Sequence, residues 1–157
     1  KRDVKGVDFF VGSALSLPVA DMTADVVIFF DVMEHLPNGM EVHVLGQINR
    51  ILKKGGILLF STPNSNFFSN IFDVAWYFGH RHYSPNNVRT LLEHAGFKVK
   101  SLEVKGSVLS SIYLTWFYIA KRITGKSQPR NKFLEDLDDK GYRGRGLTDI
   151  FLLARKV

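Results

Sequence analysis

Cysteine is absent from this 157-residue chain, which excludes disulfides, thiol catalysis and cysteine-ligated metal. Membrane-length apolar runs are missing too: the uncharged stretch Gly106–Ala120 falls short of the roughly 20 residues that span a bilayer. There is no repeat, no low-complexity tract and no G-x-G-x-x-G dinucleotide motif. No signal peptide is visible, and the expected compartment is the cytoplasm. Acidic residues are in mild deficit, 15 against 21 basic, giving a net charge of +6. That permits an acidic partner, but plain solvation produces the same excess. The chain begins at Lys1 without Met, so a fragment of something longer is expected. What is present, 45% hydrophobic and 23% charged residues, suits one globular domain with a buried core.

The stretch Ala24–Leu36, ADVVIFFDVMEHL, organises the rest. Its apolar run Ala24–Phe30 reads as a central parallel strand covered on both faces. Asp31 then stands at the carboxyl end of that strand, where open α/β sheets bind ligands. If the chain turns helical after Phe30, the i, i+3, i+4 spacing places Asp31, Glu34 and His35 on one face.

Around it, Val7–Val11 (VDFFV) reads as a short buried strand and Ile57–Ser61 (ILLFS) as another. Between the central strand and Ile57, Met40, Val44, Ile48 and Ile51 recur at helical spacing. Lys53 and Lys54 fall in the expected last turn, and Gly55-Gly56 stops it. Ser84 as N-cap and Pro85 at the first helical position open a further helix, ended by Gly96. Phe97–Val104 alternates like a half-exposed strand. Leu109, Ile112, Trp116, Ile119 and Ile123 mark one face of a helix expected to be covered on more than one side. Gly125–Gly146 reads as a polar surface loop, and Thr148–Ala154 as a final strand. The order indicates an α/β fold, its last two strands pairing antiparallel at one edge.

These segments resemble a known family. VDFFVGSALSLPVADMTADVVIFFDVMEHL, INRILKKGGILLFSTPN, HRHYSPNNVRTLLEHAGF and DIFLLARK, in that order, are similar to the class I S-adenosylmethionine-dependent methyltransferases. The resemblance implies a Rossmann-like sheet, parallel with an antiparallel C-terminal edge strand and lacking the family's first two strands and Gly-rich loop. Residues 1–157 would be a single partial domain, with 106–146 an insertion of aromatic helix and polar loop. Residue by residue, Ser13, Ala14 and Leu15 match the adenine contacts, with Ser13 where the family has Asp, a stronger acceptor. Phe30 and Asp31 match positions beside the methionine and the transferable methyl. The cofactor implied is S-adenosylmethionine.

Methyl transfer from a sulfonium needs alignment and often a base. His35 and His82 are the candidates near the strand end; the alternative for His35 is a purely structural hydrogen bond. A divalent metal (Mg²⁺, Mn²⁺ or Zn²⁺) on Asp31, Glu34, His35 and His80 or His82 is the sharper alternative. The acidic-x-x-Glu-His run, Thr62-Pro63-Asn64 and a later His resemble two metal-assisted subgroups, the ubiquinone-pathway O-methyltransferases and the small-RNA terminal 2′-O-methyltransferases. Here the first ligand is Asp rather than Glu, one methylene shorter. The aromatics of 67–78 and 113–118 are expected to be mostly core, the others walling a pocket or a dimer face. The function expected is methyl transfer to a small lipophilic or aromatic acceptor. The alternatives are an RNA methyltransferase, with the basic run Lys121–Lys132 attracting phosphate, and a non-catalytic binding module. A homodimer through strand edges or the aromatic helix is the protein partner considered.

Overall fold

The computed structural model describes residues 6–73, 76, 77, 79–125 and 132–157. It contains a four-stranded sheet of order β1-β2-β4-β3, formed by β1 (Ala24–Phe30), β2 (Leu52–Pro63), β3 (Phe97–Lys105) and β4 (Asp149–Lys156). The helices are α1 (Glu41–Ile51), α2 (Phe67–Phe72), α3 (Pro85–His94), α4 (Val108–Thr124) and α5 (Lys132–Arg143), with a 3-10 turn at Met33–His35. β1 and β2 are parallel, joined through α1, whereas β4 runs antiparallel to both β2 and β3. The antiparallel C-terminal strand is therefore present, one place in from the edge; β3 takes the edge itself.

The core lies on one face of the sheet. Phe29, Leu58, Phe60, Ile150, Leu152 and Ala154 alternate inward and meet Val44, Leu45 and Ile48 of α1 and Val88 and Leu92 of α3. This is the period-2 strand and the amphipathic helix working against each other. The opposite face is open: Val26, Ile28 and Phe30 are 49%, 63% and 45% exposed. β1, read as a covered central strand, is thus an edge strand with one bare face, because both α1 and α3 pack on the other side.

Several sequence expectations are corrected. Val7–Val11 forms no strand, and Phe9, Phe10 and Val11 are exposed. Its apolar pattern has no neighbouring backbone to pair with among the described residues. α1 ends at Ile51, a turn early, because Leu52 is already extended and pairs with Ala24, while Lys53 reaches Asp25 at 2.8 Å. The helix-stopping role given to Gly55-Gly56 therefore falls within β2, where Gly55 takes φ +72°. Gly125–Gly146 contains α5 rather than a loop throughout. Its polar composition and the glycines in and around α5 hid the helix; residues 126–131 lie outside the described residues. At the start of α3 the reading holds, with Ser84 Oγ accepting from the Asn87 N–H and Pro85 at the first position. Beyond β3, Gly106 (φ +82°) passes so close to Thr148 that a Cβ would collide with its Oγ1.

Candidate functional site

The carboxyl ends of β1 and β2 carry the site. After Phe30 the chain does not continue into a helix. Asp31 adopts φ +51°, a strained value for a residue with a Cβ, and only then does the 3-10 turn begin. The kink separates Asp31 from Glu34 and His35. Asp31 instead accepts a hydrogen bond from the Ser61 hydroxyl at 2.7 Å, and its N–H donates to Ser61 O.

Glu34 is buried at 2% exposure, and Thr62 Oγ1 donates to its Oε2 at 3.2 Å. Burial pushes its carboxyl above the ordinary range, and the Asp31 charge adds to that. The Glu34 backbone and the Thr62 hydroxyl bond to it and oppose the rise.

The segment 80–83 is tied to the end of β2, with the Tyr83 N–H donating to Pro63 O and the Ser65 N–H to Tyr83 O. This brings His80 to Glu34 and His35. His80 Nε2 lies 3.3 Å from His35 Nε2 and 3.9 Å from Glu34 Oε1; His35 Nε2 lies 4.0 Å from the same oxygen. On its other side His80 Nδ1 is 3.3 Å from Asp73 Oδ2. A carboxylate only accepts, so this contact is a hydrogen bond in the tautomer that carries its proton on Nδ1, the form that leaves His80 Nε2 an acceptor toward the site.

His82 does not join this group. Its side chain is 1% exposed and spans Asn70 Oδ1 and Asp73 Oδ2, each at 2.8 Å. Asp31 also stays outside it. The residues brought together are thus Glu34, His35 and His80, with a second set of Asp73, His80 and His82 behind them. Sequence reading gave His80 only as an alternative to His82 and missed Asp73, which sits just after α2 with no motif around it.

Arg81 braces the arrangement. Its guanidinium donates to Met33 O, Leu36 O and Glu41, fixing the 3-10 turn against the segment that carries the histidines. Tyr83 donates to Glu41 from below, and burial raises its phenol above the usual range. Between these walls opens a pocket of about 530 Å³, lined by Glu34, His35, Leu36, Asn38, His80 and Arg81 among others. A cavity of this size suits a small molecule.

The residues matched to adenine lie apart from the histidines, on the chain that runs beside α1. The Leu15 N–H donates to Ser13 Oγ, and His43 of α1 bonds Leu15 O at 2.8 Å. Ala14 and Leu15 pack on the core. Phe30 is half-exposed at the strand end, edge-on to Phe151 at 6.3 Å. The described aromatics beyond the site are less buried than expected: Phe67, Tyr77 and Trp116 are exposed. The side chains of Phe68, Phe72, Phe78 and Tyr118 lie outside the described residues.

The site thus sets a buried acid and two histidines at the carboxyl end of a parallel β-α-β unit. The sequence model of the methyltransferase domain family matches residues 3–102. The chain belongs to that family, the class I S-adenosylmethionine-dependent methyltransferases. A protein of Mycolicibacterium smegmatis named as a probable S-adenosylmethionine-dependent methyltransferase is 37% identical over 95 residues, covering 60% of this chain and 36% of that protein. A Mycobacterium tuberculosis protein of the same description is 33% identical over 92 residues, covering 58% of this chain and 33% of its own. The chain thus matches about a third of the length of these curated relatives. Among solved structures, a SAM-dependent methyltransferase of Methanosarcina mazei superposes with a TM-score of 0.61 at 14% identity, covering 96% of this chain and 67% of that one. That likeness shows the fold.

Proposed function

We propose that this chain forms the acceptor side of an S-adenosylmethionine-dependent methyltransferase, with His80 as the base and a small lipophilic or aromatic acceptor in the pocket. The observation that carries the reading is the convergence of Glu34, His35 and His80 at the carboxyl end of β1, beside that pocket. Ser13, Ala14 and Leu15 take the adenine, and Phe30 and Asp31 face the methionine end. The Ser61 hydroxyl keeps Asp31 an acceptor, suited to the cofactor's ammonium. When bound, the cofactor supplies a sulfonium methyl.

The chain's own groups do the rest. The acceptor hydroxyl lies in the pocket with its proton toward His80 Nε2. The acceptor oxygen would take the methyl from the bound cofactor, the C–S electron pair leaving with sulfur as S-adenosylhomocysteine. The acceptor's proton passes to His80 Nε2, and Asp73 holds the resulting imidazolium through Nδ1. Asp73 is a positioning residue, buttressed by His82 and Asn70.

A second reading is favoured by the same three atoms. One carboxylate and two imidazoles, mutually within 4.8 Å, form a donor set that suits Mn²⁺ or Zn²⁺ and accepts Mg²⁺. Glu34, His35 and His80 would hold the ion, which would polarise the acceptor hydroxyl. Asp31 and His82, also considered as ligands, are engaged elsewhere.

The test is calorimetry of the purified protein with S-adenosylhomocysteine, with and without divalent ions, beside turnover of His80→Ala. The expected result is unchanged S-adenosylhomocysteine affinity and a kcat lower by about 10²–10⁴-fold, the usual worth of a positioned base. Turnover that survives His80→Ala unchanged would remove the base assignment. Turnover abolished by chelation and restored by Mn²⁺ would favour the metal reading.

A further inference from the structure

One helix exposes what a globular protein normally hides. Leu109, Ile112, Trp116, Ile119 and Ile123 step along a single face of α4, and they are 56%, 41%, 57%, 48% and 79% exposed. At the helical rise of about 1.5 Å per residue this is an apolar ridge roughly 20 Å long. Sequence reading gave the same residues as a covered face; the structure turns them outward. Such a ridge needs an occupant.

Three observations indicate which. First, α4 carries no acidic residue in its sequence VLSSIYLTWFYIAKRIT, and Lys121 and Arg122, both exposed, close its last turn. Second, the ridge centres on Trp116, whose indole suits a boundary that is apolar on one side and wet on the other. Third, α4 packs on α2, so the ridge is the face of α4 that the fold leaves unpacked. No described helix is long and apolar enough to cross a bilayer. An apolar ridge flanked by cations, here Lys121 and Arg122 in the last turn, is the pattern of a helix that lies in the bilayer interface.

We propose that α4 seats this protein on an anionic lipid surface, its ridge among the acyl chains and Lys121 and Arg122 at the phosphates. Binding to the surface is separate from binding of the methyl donor, and the two are measured in one sample.

The experiment is flotation of the intact protein with vesicles of phosphatidylcholine containing about 30 mol% phosphatidylglycerol, against pure phosphatidylcholine, with S-adenosylhomocysteine affinity recorded alongside. Binding is expected to the anionic vesicles, with a blue shift of Trp116 emission in a Trp76→Phe background. Ile119→Glu should weaken partitioning by at least about tenfold, and Lys121→Ala with Arg122→Ala should erase the preference for phosphatidylglycerol. Both variants alter exposed positions, and an unchanged circular dichroism spectrum confirms their fold. Protein that stays with the buffer at excess lipid overturns the proposal. So does flotation indifferent to Ile119→Glu. A dimer in sedimentation velocity that Ile119→Glu dissociates would assign the ridge to a second copy of the chain instead. In each of these cases S-adenosylhomocysteine binding reports separately on the methyltransferase reading.

Discussion

The two faces of one sheet are built from the same residue types and end differently. On one, Phe29, Leu58, Phe60 and Leu152 are covered by α1 and α3. On the other, Val26, Ile28 and Phe30 look outward, and Tyr142 of α5 meets Phe151. Apolar alternation on both sides of a strand records what the strand is suited to bury. Whether burial happens depends on which helices arrive, and here both early helices fall on one side. The chemistry follows the covered side. Thr62 continues the inward row of Leu58 and Phe60, and it is Thr62 that holds buried Glu34.

The sharpest break in the comparison is a pair of truncations. Phe60→Ala removes a fully buried ring stacked against Phe29 at 6.1 Å, and should cost about 3–5 kcal/mol. Ile28→Ala on the open face removes an exposed side chain and should cost under about 1 kcal/mol. Urea unfolding of the two variants reads the difference directly. Equal costs would mean that something covers the second face in solution.

A smaller effect tests the covered side's own expense. Burial raises the Glu34 carboxyl in the folded state above its unfolded value. Below the ordinary carboxyl range the group is protonated in both states, and its ionisation costs nothing. As pH rises through the folded value, the native state must ionise a buried group and stability is lost. Glu34→Gln keeps an acceptor for Thr62 and removes the charge. Its melting temperature should exceed that of the wild type by a few degrees near pH 8, and the two should converge near pH 4. The same variant should lose turnover, the usual trade between a site's function and its stability. A Gln variant less stable at pH 8 would show that His35 and His80 already compensate the charge.

What was legible in the sequence was whatever is decided locally. β1 has the bounds its apolar run gave, and Ser84-Pro85 opens α3 because capping is a matter of adjacent atoms. The motif order was sufficient for the family. The illegible parts depend on distant partners. Lys53 left its helix for Asp25, and Asp31 left the expected helical face through a positive φ that no spacing rule contains. His80 and His82 are alike in sequence and share Asp73, but Asn70 holds His82 from its other side while His80 turns toward Glu34. α5 was hidden by its polar composition and by the glycines in and around it, Gly141, Gly144 and Gly146, and α4's ridge was correctly placed on one face but assigned to the wrong side of the surface.

The smallest expected effect concerns the pair of segments that sequence reading treated as equals. Val7–Val11 and Ile57–Ser61 are both short, mainly apolar runs of five residues. Ile57–Ser61 lies in β2, flanked by β1 and β4, and each of its residues is paired on both sides. Val7–Val11 has no strand partner among the described residues, and Phe10 is 74% exposed. A β-propensity is a fitness for pairing, and without a neighbour it produces no strand. Phe10→Ser should therefore change the unfolding free energy by no more than about 0.5 kcal/mol. Leu58→Ala, its counterpart in the paired segment, should cost about 2–5 kcal/mol. If Phe10→Ser proves costly, the Val7–Val11 segment is packed in solution against a surface that it does not cover in the described fold. The open face of β1, with Val26 and Ile28, is then the first place to seek it, by asking whether Ile28→Ser and Phe10→Ser fail to add.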